Sequence, residues 1–266
     1  MADPDFRALH HGDTAFIIPN PWDIGTAKLL AELGFKALAT TSAGYAFSRG
    51  LPDGGVGFEA MIEHCREIAG ATPLPVSADL EKGKGDSADS AAETVFAADA
   101  AGLAGCSIED ATGDADKPIY DLTLAVERVV AAVEAARALK RDFVFTARAE
   151  NFLWGRPDLD DTIARLKAFE EAGADVLYAP GLSDIAQVRE ICAAVSKPVN
   201  VLAVDGFSVA SLSEAGVKRI SLGSKLTNLA FGAVERAANE MRETGTFTFA
   251  RDAMAFGRLQ KMFAES

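Results

Sequence analysis

The 266-residue chain is short of cysteine, of histidine and of positive charge, and each shortage removes a class of function. Its three cysteines, Cys65, Cys106 and Cys192, form no Cys-x-x-Cys pair. So odd and sparse a set offers no disulfide framework and reads as free thiols in a reducing compartment. Of the three histidines, His10 and His11 lie in the N-terminal segment and His64 in a predicted helix, so no Ser-His-Asp or Cys-His arrangement is visible. Lysine and arginine number 26 against 39 acids, a net charge of −13 that argues against a nucleic-acid partner. No apolar run approaches membrane-spanning length, and the opening "MADPDFRALHHGD" lacks a signal-peptide core. No membrane partner is expected, and the cytoplasm is the expected location. The turn "IIPNPWDIG" carries no G-x-G-x-x-G, which removes the usual dinucleotide fingerprint.

What the chain has is alternation. Short Val-, Ile- and Phe-rich runs recur eight times, at 15–19, 36–42, 74–81, 105–110, 142–150, 174–180, 198–204 and 218–224. A longer stretch with apolar residues three and four apart follows each one, as at Leu166, Phe169 and Ala172. "AELG", "DAAG", "EEAG" and "SEAG" each end a predicted helix on a glycine able to take the left-handed closing conformation. Eight such pairs predict a single (β/α)₈ barrel domain over residues 1–266, with one or two extra helices from about Phe247 to Ser266. The tail's Phe, Met and Leu residues need an apolar partner, which a neighbouring subunit could supply.

Barrel active sites sit at the C-terminal ends of the strands, and polar residues gather there in this chain. The second strand ends at "TTS", the third at Asp79 and Glu81, the fourth at Glu109 and Asp110, and the fifth at Arg148 and Glu150. Asn200 lies in the seventh strand and Ser224 ends the eighth. Asp79 and Glu81, two apart, point to one face of a strand. Three carboxylates in one cavity need raised pKa values or a cation, and oxygen ligands without His or Cys favour Mg²⁺ or Mn²⁺ over zinc. The competing reading makes these acids helix caps; Asp86 and Asp89 suit that role better. Arg148 offers a planar fork for a carboxylate or phosphonate, or else an ion pair with Glu150 or Glu109. Cys106 reads as core, and Trp22 and Trp154 either wall a pocket or pack.

The pieces "PNPWDIGTAKLLAELGFKALATTSAGYAFSRGLPD", "VSADLEKGKG", "CSIED", "TARAE" and "PVNVLA" together resemble the isocitrate lyase/phosphoenolpyruvate mutase superfamily over nearly the whole chain. The resemblance implies an α/β barrel whose terminal helix swaps between subunits, in a homodimer or homotetramer. It implies Mg²⁺ held through Asp79, Glu81, Glu109 and Asp53. It places Ser42, Ala43, Gly44, Asp79, Asn200 and Arg148 around a 2-oxo acid or related dicarboxylate, with Arg148 and Tyr45 as catalytic candidates. The implied chemistry is C–C cleavage or decarboxylation through an enolate; C–P chemistry, or oxoacid binding without turnover, are the alternatives. Many relatives have Asp where Glu81 stands. The loop after the fourth strand, "ATGDADKPIYDL", also lacks the Cys-Gly-His element of isocitrate and methylisocitrate lyases, which argues against both activities. Its one basic residue is Lys117.

Overall fold

The computed structural model describes residues 5–264. Eight parallel strands form the barrel: β1 Phe16–Ile18, β2 Leu38–Ala39, β3 Val76–Asp79, β4 Gly105–Glu109, β5 Val144–Arg148, β6 Val176–Tyr178, β7 Val199–Leu202 and β8 Arg219–Ser221. Consecutive strands pair from β2 to β8, and β8 pairs with β1. Between β1 and β2 the ring closes through the Ala39 N–H, which donates to Pro19 O at 3.0 Å, and the Asn20 amide, which donates to Thr40 O at 2.8 Å. Pro19 has no N–H to offer in return, so a side chain supplies part of the closure.

The helices are α1 Phe6–Leu9, α2 Ile24–Glu32, α3 Ser42–Ser48, α4 Phe58–Ala71, α5 Ala88–Ala100, α6 Leu122–Ala138, α7 Leu159–Glu171, α8 Ile185–Ala194, α9 Val209–Glu214, α10 Lys225–Thr244 and α11 Phe256–Ala264. Each predicted strand is present and shorter than its apolar run. Gly34, Gly102, Gly173 and Gly216, the four helix-stop glycines, all have positive φ, as a left-handed cap requires. The expected caps of α5 differ. Ser87 receives the Ser90 N–H, Asp89 sits in the first turn, and Asp86 instead pairs with Lys82 at 2.8 Å and accepts from the Tyr120 hydroxyl at 2.6 Å.

Phe6 of α1 packs with Ala37, Val144 and Val176, so the first helix covers the foot of the barrel. At the other end of the chain, a 3₁₀ turn at Thr248–Arg251 leads into α11, which packs on α2 of the same chain and buries Met262. Glu265 and Ser266, the end of the predicted tail, lie outside the described residues. No described helix is long and apolar enough to cross a membrane.

Candidate active site

A cavity of about 800 Å³ opens at the C-terminal ends of the strands. Strand alternation fills it from below: Ser77 and Asp79 of β3, Ser107 and Glu109 of β4, Asn200 and Leu202 of β7, and Arg219 and Ser221 of β8 all line it. Glu81 arrives differently. β3 ends at Asp79, and Glu81 is the one non-glycine among the described residues with positive φ, at 51°. Its carbonyl accepts the Glu109 N–H at 3.0 Å, tying this left-handed turn to β4. The i, i+2 strand argument therefore has the right outcome for the wrong reason: a strained turn, not the pleat, turns Glu81 into the cavity.

Arg148 is the hub. Its guanidinium reaches Asp79 at 2.5 Å, Glu109 at 2.9 Å and Glu150 at 2.9 Å. Burial works against its charge, but Glu109, Glu150 and Asp79 together hold its pKa well above the usual arginine value. The acids remain under stress. Burial, then the charges of Asp79 and Asp53, push Glu81 up to about 7. Burial also raises Glu109, against the pull of Arg148. Asp53, facing the cavity from the loop after α3, is raised by burial and by Asp79. One arginine does not neutralise this many carboxylates.

Supporting contacts fix the hub. Ser42, first residue of α3, donates its hydroxyl to Asp79 at 2.8 Å and its N–H at 3.3 Å. Behind β4 and β5, Asp110 accepts the Glu150 N–H at 2.8 Å and pairs with buried Arg165 at 3.0 Å. Over the mouth, Lys82 donates to Thr112 O at 2.8 Å and so ties down the loop after β4, which closes on itself through an Ala111–Ile119 bridge. Lys117 in that loop is exposed and paired with Asp121 at 2.9 Å.

Of the residues singled out from sequence, Ser42, Ala43, Asp53, Asp79, Glu81, Glu109, Arg148 and Asn200 line this one cavity, as does Trp154. Gly44 and Tyr45 do not. The Gly44 N–H is taken by Thr41 Oγ1, and a Cβ there would meet Thr227 Oγ1 at 2.5 Å, so Gly44 exists for close packing of α3 on α10. Tyr45 stacks face to face on His64, ring centroids 3.7 Å apart, and is not among the residues lining the cavity. Tyr178, Asn20 and Arg219 are among the lining residues that escaped sequence reasoning. Tyr178 lies at a strand end, where the positional rule points to it; Asn20 sits inside a quoted motif. Arg219 opens a strand and carries no such signal.

The acids suit a hard divalent cation in chemistry and in charge. Among the described residues no three His, Cys, Asp or Glu side chains are arranged to hold an ion directly. The two facts agree for Mg²⁺, which keeps several of its waters.

Residues 6–242 match the family profile described as phosphoenolpyruvate phosphomutase. A solved Burkholderia cenocepacia J2315 protein, described only by the class lyase/mutase, is 55% identical, with a TM-score of 0.95 over 97% of this chain and 94% of its own. The 2-methylisocitrate lyase of Escherichia coli K12 is 30% identical over 94% of this chain and 87% of its own. Oxaloacetate acetylhydrolase, solved with its product oxalate, is 28% identical, with a TM-score of 0.85 over 96% and 91%. The chain belongs to the isocitrate lyase/phosphoenolpyruvate mutase superfamily, a family of lyases and related enzymes built on this barrel.

Proposed function

We propose that the chain is a Mg²⁺-dependent carbon–carbon lyase or decarboxylase acting on a 2-oxo acid or related dicarboxylate through an enolate. The observation that carries this reading is the convergence of Asp79, Glu81 and Glu109 on one cavity, with a single arginine among them. Mg²⁺, held through Asp79, Glu81, Glu109 and Asp53, would supply Lewis-acid stabilisation of charge on the 2-oxo oxygen. Arg148 orients the carboxylates and presents a fixed cation to the oxygen-rich end of the substrate. Ser42 holds Asp79 in place through two donors, while Ala43 lines the wall beside it. The Asn200 amide is locked by Ser221 and Arg219 and faces the substrate space in one orientation. Burial pushes the Tyr178 phenol up to about 12, so it keeps its proton at neutral pH and can donate to an oxygen gaining charge. That role passes from Tyr45 to Tyr178.

For oxaloacetate the step would break C3–C4, release CO₂ and leave the electron pair on the enolate of pyruvate, which then takes a proton at C3. The loop after β4 has no Cys or His, and its lysine is engaged at the surface, which supports setting aside isocitrate and 2-methylisocitrate cleavage. The family match favours phosphonopyruvate chemistry as the second reading.

Calorimetric titration of pyruvate, oxaloacetate, 2-oxoglutarate and phosphonopyruvate, with and without Mg²⁺, tests the proposal, followed by product analysis of each binder. Mg²⁺-dependent binding with pyruvate or CO₂ release is expected. Phosphate release would move the assignment to C–P chemistry, binding without turnover would make the chain an oxoacid-binding protein, and metal-independent binding would remove the carboxylate assignment. The same reading makes the protein a homo-oligomer. Leu229, Phe231 and Val234 stand exposed on α10, and Phe247 and Phe256 stand exposed beyond it. Sedimentation at micromolar concentration should give a dimer or tetramer; a monomer would sink this part.

A further inference from the structure

We propose that Arg219 anchors a second, deeper subsite that takes a carboxylate group, so that the cavity accepts acids with an anionic group at each end. The inference rests on the reading above only for what occupies the upper end. Arg219 opens β8 and is 4% exposed, yet it lines the cavity. It lies two residues before Ser221 on the same face, about 7 Å deeper. Its guanidinium donates to Asn200 Oδ1 at 2.8 Å and Thr146 Oγ1 at 3.1 Å, and lies 3.4 Å from His10 Nε2. These contacts use three of its five N–H groups, and all three partners are neutral. Among the described residues no Asp or Glu forms an ion pair with it, and the charge of Arg148 repels it.

A buried cation without a counter-charge is costly, and proteins ordinarily pair it. Here no carboxylate among the described residues pairs with it, and Arg219 lines the ligand cavity. The surroundings suit a carboxylate: Asn200 and Ser221 are uncharged and hydrogen-bonded to each other at 3.0 Å. The carboxylate could come from the far end of a dicarboxylate substrate or from a free small acid.

The test is calorimetry on the full chain with Mg²⁺, comparing wild type, Arg219→Gln and Arg219→Lys, with circular dichroism to check folding. For a substrate carboxylate, Arg219→Gln should weaken oxaloacetate by about tenfold or more and pyruvate by less than about threefold, with Arg219→Lys in between. Equal weakening of both acids, or of neither, overturns that source. For a free acid, formate should bind wild type even with pyruvate present, and its binding should vanish in Arg219→Gln. If no 2-oxo acid binds at all, the proposed function fails, but formate binding that depends on Arg219 still upholds the subsite. If Arg219→Gln does not fold, the wild type decides: formate competing with oxaloacetate but not with pyruvate supports the subsite, and no formate effect on either overturns it.

Discussion

Two arginines stand in the same barrel with opposite surroundings. Arg148, at the mouth end of β5, touches three carboxylates; Arg219, at the foot of β8, touches only neutral groups. The difference lies in which side of the barrel each one serves. β3, β4 and β5 bring an excess of negative charge to the mouth, and Arg148 neutralises part of it. Asn200 of β7, Thr146 of β5 and His10, the C-cap of α1, bring amide, hydroxyl and imidazole to the floor, where among the described residues no carboxylate pairs with Arg219. A cavity acidic at one end and cationic at the other suits a ligand that brings a metal to the first and an anion to the second.

The largest expected effect comes from removing the mouth arginine. Arg148→Met leaves Asp79, Glu109 and Glu150 facing each other with little water. Breaking a buried ion pair by deleting one partner costs about 3–5 kcal/mol. Urea denaturation should show a loss of that order, and turnover should disappear. Adding Glu150→Gln should recover part of the stability, since the most buried of the three acids then becomes neutral. A loss below about 1 kcal/mol would mean that the acids already share protons, and the contrast between the two arginines would collapse.

Next in size is the acid sensitivity of the floor. Burial, and then the charge of Arg219, lower the His10 pKa to about 3, against about 6.5 when unfolded. Between those values the unfolded chain binds the extra proton, so stability rises with pH. The contribution is whole above about pH 6.5 and drains away as pH falls toward 3; from neutrality to pH 5 it amounts to about 2 kcal/mol. His10→Gln should flatten that part of the stability–pH curve. His64, lowered by burial to about 4, leaves its own slope in both proteins, so the difference between them isolates His10. Identical curves would remove His10 from the floor network.

How much of this contrast could be read beforehand differs between mouth and floor. The eight strands and the helix-stop glycines were legible because hydrophobic period and turn chemistry are local. α3 was not: "SAGYAFS" is short, glycine-containing and easily taken for loop, although Thr41 stood before it as a cap. Asp79, Glu81, Glu109 and Arg148 were legible because a barrel concentrates function at strand ends. Arg219 was not, because an arginine opening a strand looks like a solvated flank. Only the closing of β8 against β1 and β7, with α1 below, buries it.

A smaller effect sharpens the acidic side. Glu109→Gln keeps the size of the side chain and removes one charge that burial already disfavours, so the fold should persist at unchanged or higher melting temperature. Mg²⁺ affinity, read by calorimetry in the presence of a bound 2-oxo acid, should fall by about tenfold, or about 1.4 kcal/mol. Unchanged affinity would take Glu109 out of the metal site and leave it as a partner of Arg148 alone.

The smallest effect is expected where a cation lies near the mouth in sequence but not in space. Lys117 belongs to the loop where the family resemblance leads one to look for a Cys-Gly-His element, so its position in the chain invites a catalytic role. In the structure it is exposed, does not line the cavity and pairs with Asp121 across one turn's length of chain. Exposed pairs of this kind are screened by solvent and give up side-chain entropy to form. Lys117→Met should therefore leave kcat, KM and melting temperature where they were. A large fall in kcat with KM unchanged would show that the loop swings Lys117 inward during turnover, and the cation that counts at the mouth would then be one the resting structure holds outside.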